Sequence, residues 1–97
     1  MADETGPGTL KLAIGVSATR DLGPLFEETL RKYAAAHNVH ALGTHTALVF
    51  TDAPVDQVRS WLHDALEADE SVLVVEFESW SSYGAAIDTR WLLRRGH

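Results

Sequence analysis

The chain of 97 residues contains no cysteine. That excludes a disulfide framework, a thiolate metal site and cysteine catalysis. It also lacks a long apolar run: none approaches the ~20 residues of a membrane helix. The N-terminus, MADETGPGT, is polar and acidic rather than basic and then apolar, which argues against a signal peptide and gives a cytoplasmic location by default. Basic residues are scarce, 8 Lys and Arg against 14 Asp and Glu, for a net charge of -6. A protein that coats nucleic acid by charge alone is therefore not expected. No serine sits in a nucleophile elbow of the G-x-S-x-G type. Gly6, Gly8 and Gly15 have neither the spacing nor the following helix of a phosphate-binding loop. There is no repeat of solenoid length and no low-complexity tract.

What is present is an ordinary globular composition, 45% apolar, at the length of one domain. A chain of this size buries roughly 60–65% of the surface that its unfolded form exposes, so it can fold without staples. The charge is uneven. Asp52 to Glu78 holds eight acids and one base, Arg59, whereas Ser79 to His97 holds one acid, Asp88, and three bases, Arg90, Arg94 and Arg95. The acidic part reads as a solvated helix face and turn. The basic end can meet phosphate or a partner's acids, or remain solvated.

The pattern is organised around Thr44 to Leu66. Leu48, Val49 and Phe50 form a strand, Asp52 is a candidate helix cap, and Pro54 fits a first helical position. Val55, Val58, Leu62, Ala65 and Leu66 then recur at helical spacing. Before this unit, residues 1–9 read as a disordered arm. Leu10 to Val16 is a strand with Leu10, Leu12, Ile14 and Val16 on one face. The small residues Ala13 and Gly15, on the other face with Lys11, suggest close approach by something else, such as a second subunit. A helix is expected from Pro24 to about Ala36, burying Leu25, Phe26, Thr29, Leu30, Tyr33 and Ala34. A short strand spans Asn38 to Leu42, Gly43 turns the chain, and Ser71 to Glu78 is the fourth strand. Leu73, Val75 and Phe77 are expected to face the helices, leaving Val72, Val74, Val49 and Ala47 on the open side.

The order β-α-β-β-α-β predicts an α+β, ferredoxin-like domain over residues 10–79, with a four-stranded antiparallel sheet and both helices on one face. Residues 80–97 form a C-terminal tail. An open apolar sheet face must be covered. The tail can cover part of it and a second copy the rest, so a homodimer is expected. Trp80, Tyr83, Arg90, Trp91, Leu92, Arg94 and Arg95 make the tail aromatic and basic. That combination can bind nucleic acid, but insertion of Trp91 and Leu92 into a groove of a partner subunit is the preferred reading, with Trp and Arg as anchors.

The strand-TD-helix joint Thr44–Asp52, the helix Val55–Leu66, the acidic turn and LVV-type strand of Ala68–Phe77, and the Trp91–Leu92 pair resemble the SinR-like proteins. These are relatives of the small CRISPR-associated endoribonuclease, a ferredoxin-like dimeric subunit. Leu12–Ser17 lines up with that family's first strand, and the likeness covers most of residues 10–93. The resemblance implies a dimer in a defence or toxin–antitoxin-like setting. In the nuclease relatives an acidic residue follows the first strand, typically in a Tyr-Asp pair, and is proposed to hold a divalent metal across the dimer. Here that pair is Val16–Ser17, and serine is a poor Mg²⁺ ligand.

His37, His40 and His45 lie within nine residues, a spacing that raises zinc or acid–base chemistry. No carboxylate lies near His40 and His45 in sequence, and His37 suits a helix C-terminus. Trp61 reads as a packing residue. The expected function is a non-catalytic dimeric interaction or assembly module with no cofactor and no bound metal. Homodimerisation is its expected contact, another protein and nucleic acid remain open as partners, and no membrane is involved. The alternative is a Mg²⁺- or Mn²⁺-dependent endonuclease with a displaced site drawn from Asp21, Asp52 and His45. A small-ligand sensor using the open sheet face is a third, weaker option, for which the sequence offers no polar cluster.

Overall fold

The computed structural model describes residues 7–95. Its elements are β1 (Thr9–Val16), α1 (Leu22–Leu30), a 3₁₀ turn (Ala36–Asn38), β2 (Val39–Gly43), β3 (Thr46–Thr51), α2 (Val55–His63), β4 (Ser71–Phe77) and α3 (Thr89–Leu93). The fold is α+β, with one four-stranded antiparallel sheet in the order β2-β3-β1-β4. No helix among the described residues is long and apolar enough to cross a membrane. The arm expected over residues 1–9 lies largely outside the described residues, and Thr9 already belongs to β1.

Both longer helices cover the same face. Leu22, Phe26 and Leu30 repeat every four residues along α1, and Val58 and Leu62 do so along α2. All five are fully buried against Ala13, Ala47 and Val49 of the sheet. Each such large side chain contributes about 1.5–3 kcal/mol by leaving water, so this layer dominates the core. Small residues underneath are a condition of the packing. A Cβ on Gly15 would lie 2.6 Å from Leu22 Cδ1 and 2.9 Å from the Phe26 ring. The closely approaching body expected beside Ala13 and Gly15 is therefore α1 of the same chain, not another subunit.

This arrangement reverses the expected faces of the sheet. Ala47, Val49, Val72 and Val74 lie under the helices. Leu10, Leu12, Leu48, Phe50 and Phe77 lie on the opposite face with the tail. By alternation Leu73 and Val75 share that second face. The register couples the strands: Lys11 stands opposite Glu76, and the Lys11 Nζ–Glu76 Oε1 distance is 3.4 Å. Lys11 is buried on the helix side at the end of the sheet, where its ammonium donates to the Thr51 carbonyl at 2.7 Å and to Thr9 Oγ1 at 2.6 Å.

Several boundaries also differ. Asp21 is the N-cap of α1, so the helix begins two residues before Pro24. It ends at Leu30, because Lys32 N–H→Thr29 O and Tyr33 N–H→Leu30 O bonds tighten the chain into a 3₁₀-type turn. Tyr33 is thereby left half exposed, stacked on Trp61 with ring centroids 4.7 Å apart. Asp52 does not cap α2. It is exposed, Pro54 occupies the N-cap, and Thr51 Oγ1 accepts the Ala53 N–H at 3.2 Å.

Candidate functional site

The sheet face without helices divides in two. In the first two rows of the register, Leu10 lies between Phe50 and Phe77, and Leu12 between Leu48 and Val75. The chain after β4 crosses these rows as a strap, residues 78–88, leading into α3. Trp80, Ile87, Trp91 and Leu92 pack there, with Leu92 buried against Leu10, Leu48 and Phe50. In the next rows Ile14 lies between Thr46 and Leu73, and Val16 stands opposite Ser71. This end is bare: Val16 is 64% exposed and Leu73 58%.

The tail is latched to the chain around β2. Asp88 caps α3 by accepting the Trp91 backbone N–H at 3.1 Å. The Trp91 indole Nε1 donates to the His37 carbonyl at 2.9 Å, and the Trp91 ring lies against the His40 imidazole. Arg95 is buried. Its Nε donates to Asn38 Oδ1 at 3.0 Å, its Nη1 to the Trp91 carbonyl at 2.9 Å and its Nη2 to the His37 carbonyl, and its guanidinium lies 4.2 Å from the centre of the Trp91 ring. Of the tail residues expected to make contacts, Trp80, Trp91 and Leu92 thus pack on their own sheet rather than reaching out to a partner's groove, and Arg95 packs on the 3₁₀ turn and Trp91. Tyr83, Arg90 and Arg94 remain exposed, Tyr83 almost completely.

The candidates for metal chemistry are spread out. His45 precedes β3 and Asp52 follows it, so the strand's length separates them. His45 Nδ1 accepts the Leu22 N–H at 3.4 Å beside the start of α1, where Asp21 is exposed. His40 lies instead against the tail, so it does not share a site with His45. Among the described residues, no three His, Cys, Asp or Glu side chains are grouped to hold a metal ion.

Ser17 belongs to a clamp that joins the loop after β1 to the turn before β4. Its hydroxyl donates to Glu70 Oε2 at 2.9 Å. Arg20 donates to both Glu70 oxygens, from Nε at 2.7 Å and Nη2 at 2.6 Å, and also to the Ala65 carbonyl. The Glu67 N–H adds a bond to Oε1 at 2.8 Å. The Arg20 bonds first, then the Glu67 amide, hold the Glu70 carboxyl down at about 2 against burial, which acts the other way. A carboxylate so acidic and so fully engaged is a poor general base. The clamp gives no sequence pattern because its two halves, Ser17 with Arg20 and the turn from Ala65 to Glu70, are joined by bonds spanning 45 or more residues.

No family model, curated protein or solved structure matches the chain.

Proposed function

We propose that this chain is a non-catalytic, ferredoxin-like contact module that works as a homodimer in the cytoplasm. Its resemblance to SinR-like and small CRISPR-associated endoribonuclease-like proteins suggests a defence or toxin–antitoxin-like setting. The main support is the bare end of the sheet face, where Ile14, Val16 and Leu73 form an uncharged apolar strip beside the strap. Contiguous exposed apolar surface marks an interaction site on a small domain. The tail's own large apolar groups are already used on the first two rows. A flat strip of this kind is complementary to a copy of itself, as a two-fold interface requires. A contact role also accords with Ser17 at the position where the nuclease relatives carry an acid.

The test is mass measurement by light scattering across a concentration series, for the wild type and for Leu73→Lys. A dimer that Leu73→Lys converts to a folded monomer is expected; a monomeric wild type at all concentrations overturns the dimer. In parallel, the protein is incubated with labelled RNA and DNA with and without Mg²⁺ or Mn²⁺. Metal-dependent cleavage lost in Asp21→Ala or Asp52→Ala would make the chain an enzyme and overturn the non-catalytic reading.

A further inference from the structure

Between the strap and the sheet lies an open groove of about 480 Å³. Its floor is Leu12, Leu48 and Val75, and the strap side includes Trp80 and Ile87. The volume falls in the range of small-molecule sites, roughly 300–1,000 Å³, which are mostly apolar with a few placed polar groups. Two observations narrow the ligand. First, among the described residues no charged one lines the groove; its hydroxyl-bearing residues are Ser81, Ser82 and Tyr83. A carboxylate or ammonium entering it would lose hydration without a counter-ion. Second, Trp80 lines the groove, and among the described residues its indole Nε1 is buried with no hydrogen-bond partner. A buried donor left unpaired is costly, and an arrangement that supplies an acceptor is favoured over one that does not.

We propose that this groove binds a small, neutral, largely apolar molecule carrying a carbonyl oxygen, and that the carbonyl accepts the Trp80 indole N–H. The N–H is covered in the present arrangement, so entry of the ligand displaces the strap. Residues 79–88 contribute no strand and no helix, and a Ser82–Thr89 hydroxyl contact of 2.8 Å bonds this segment to the start of α3. The latch around Arg95 and Trp91 lies beyond the segment that moves, so α3 stays docked while the groove opens. The site does not depend on the chain forming a dimer.

The experiment uses the full chain and three ten-carbon probes: 2-decanone, decane and decanoate. The three tryptophan indole N–H resonances are followed by ¹⁵N–¹H correlation spectra. Trp61 stacks on Tyr33 on the helix side and Trp91 is already bonded to His37, so both serve as internal references. Saturable movement of the Trp80 indole signal to lower field with 2-decanone is expected, with decane binding more weakly and decanoate weaker still. Trp80→Phe, which keeps an aromatic ring and removes the N–H, should lower 2-decanone affinity about three- to tenfold and leave decane unchanged. Leu48→Phe fills the floor and should weaken both. An unmoved Trp80 signal at saturating 2-decanone, equal binding of decane, or preference for decanoate would each overturn the proposal. Mass measured on the same samples separates this result from the dimer question.

Discussion

The two faces of the sheet are built from the same four strands and closed in different ways. On the helix face β1 offers Ala13 and Gly15, and β3 offers Ala47 and Val49; Phe26, Leu22 and Leu62 fill the space from above and are fully buried. On the other face the strands supply the bulk themselves, through Leu10, Leu12, Phe50 and Phe77, and a strap with one five-residue helix covers half of it. Helices bring large side chains down to a sheet and leave room only for small ones beneath. The size of strand residues, more than their hydrophobicity, therefore tells which face the helices cover.

The strongest way to break this contrast is to open a cavity on each face. Phe26→Ala should cost about 3–5 kcal/mol in urea unfolding, since rigid elements surround the site. Leu92→Ala should cost about 2 kcal/mol, the low end for a buried leucine, because the strap can settle into the gap. Equal costs would mean that the two faces are packed alike. A third test acts on the clamp between loops, away from both layers. Glu70 is held at about 2, below the ordinary carboxylate value, so its ionised form stabilises the fold above about pH 4.5 and that contribution is lost as pH falls toward 2. Glu70→Gln should be less stable than wild type at neutral pH and show a shallower decline on acidification, measured as urea midpoints at successive pH values. The smallest effects belong to exposed positions. Asp52→Ala should change stability by less than about 0.5 kcal/mol, because it caps nothing. Leu73→Lys should do the same for the monomer while abolishing self-association; a larger loss in dilute solution would place Leu73 in the core.

Element order and strand positions were legible in the sequence, because β1 alternates, α2 keeps helical spacing and β4 is a short β-branched apolar run. The facing of the strands was not, because apolar residues occupy both sides of each strand and alternation alone does not say which side is which. Lys11 and Glu76 carried a usable signal. Paired across β1 and β4, they align Leu10, Leu12 and Ile14 with Phe77, Val75 and Leu73, and the small residues Ala13 and Gly15 then mark the helix side. The aromatic character of the tail is plain in the sequence, but whether Trp91 and Leu92 enter a partner's groove or pack on their own sheet is not, since the His37 carbonyl and Asn38 side chain that hold the tail give no sequence pattern. The Asp52 cap failed for a local reason: Thr51 made the competing bond to Ala53 N–H. Of the candidate site, the tail residues stand out in the sequence by their aromatic and basic character, whereas the bare strip of Ile14, Val16 and Leu73 follows only from the reversed faces.

The position of β1 at the centre of the sheet has a consequence for how the molecule forms. It pairs with β3 on one side and β4 on the other, and the second ladder joins Leu10 to Phe77, 67 residues further along. Closing so long a loop costs entropy before any contact repays it, and such non-local pairing slows folding. During synthesis β1 emerges first but lacks its second neighbour until residue 77 has appeared, so the ladder that completes the sheet waits for nearly the whole domain.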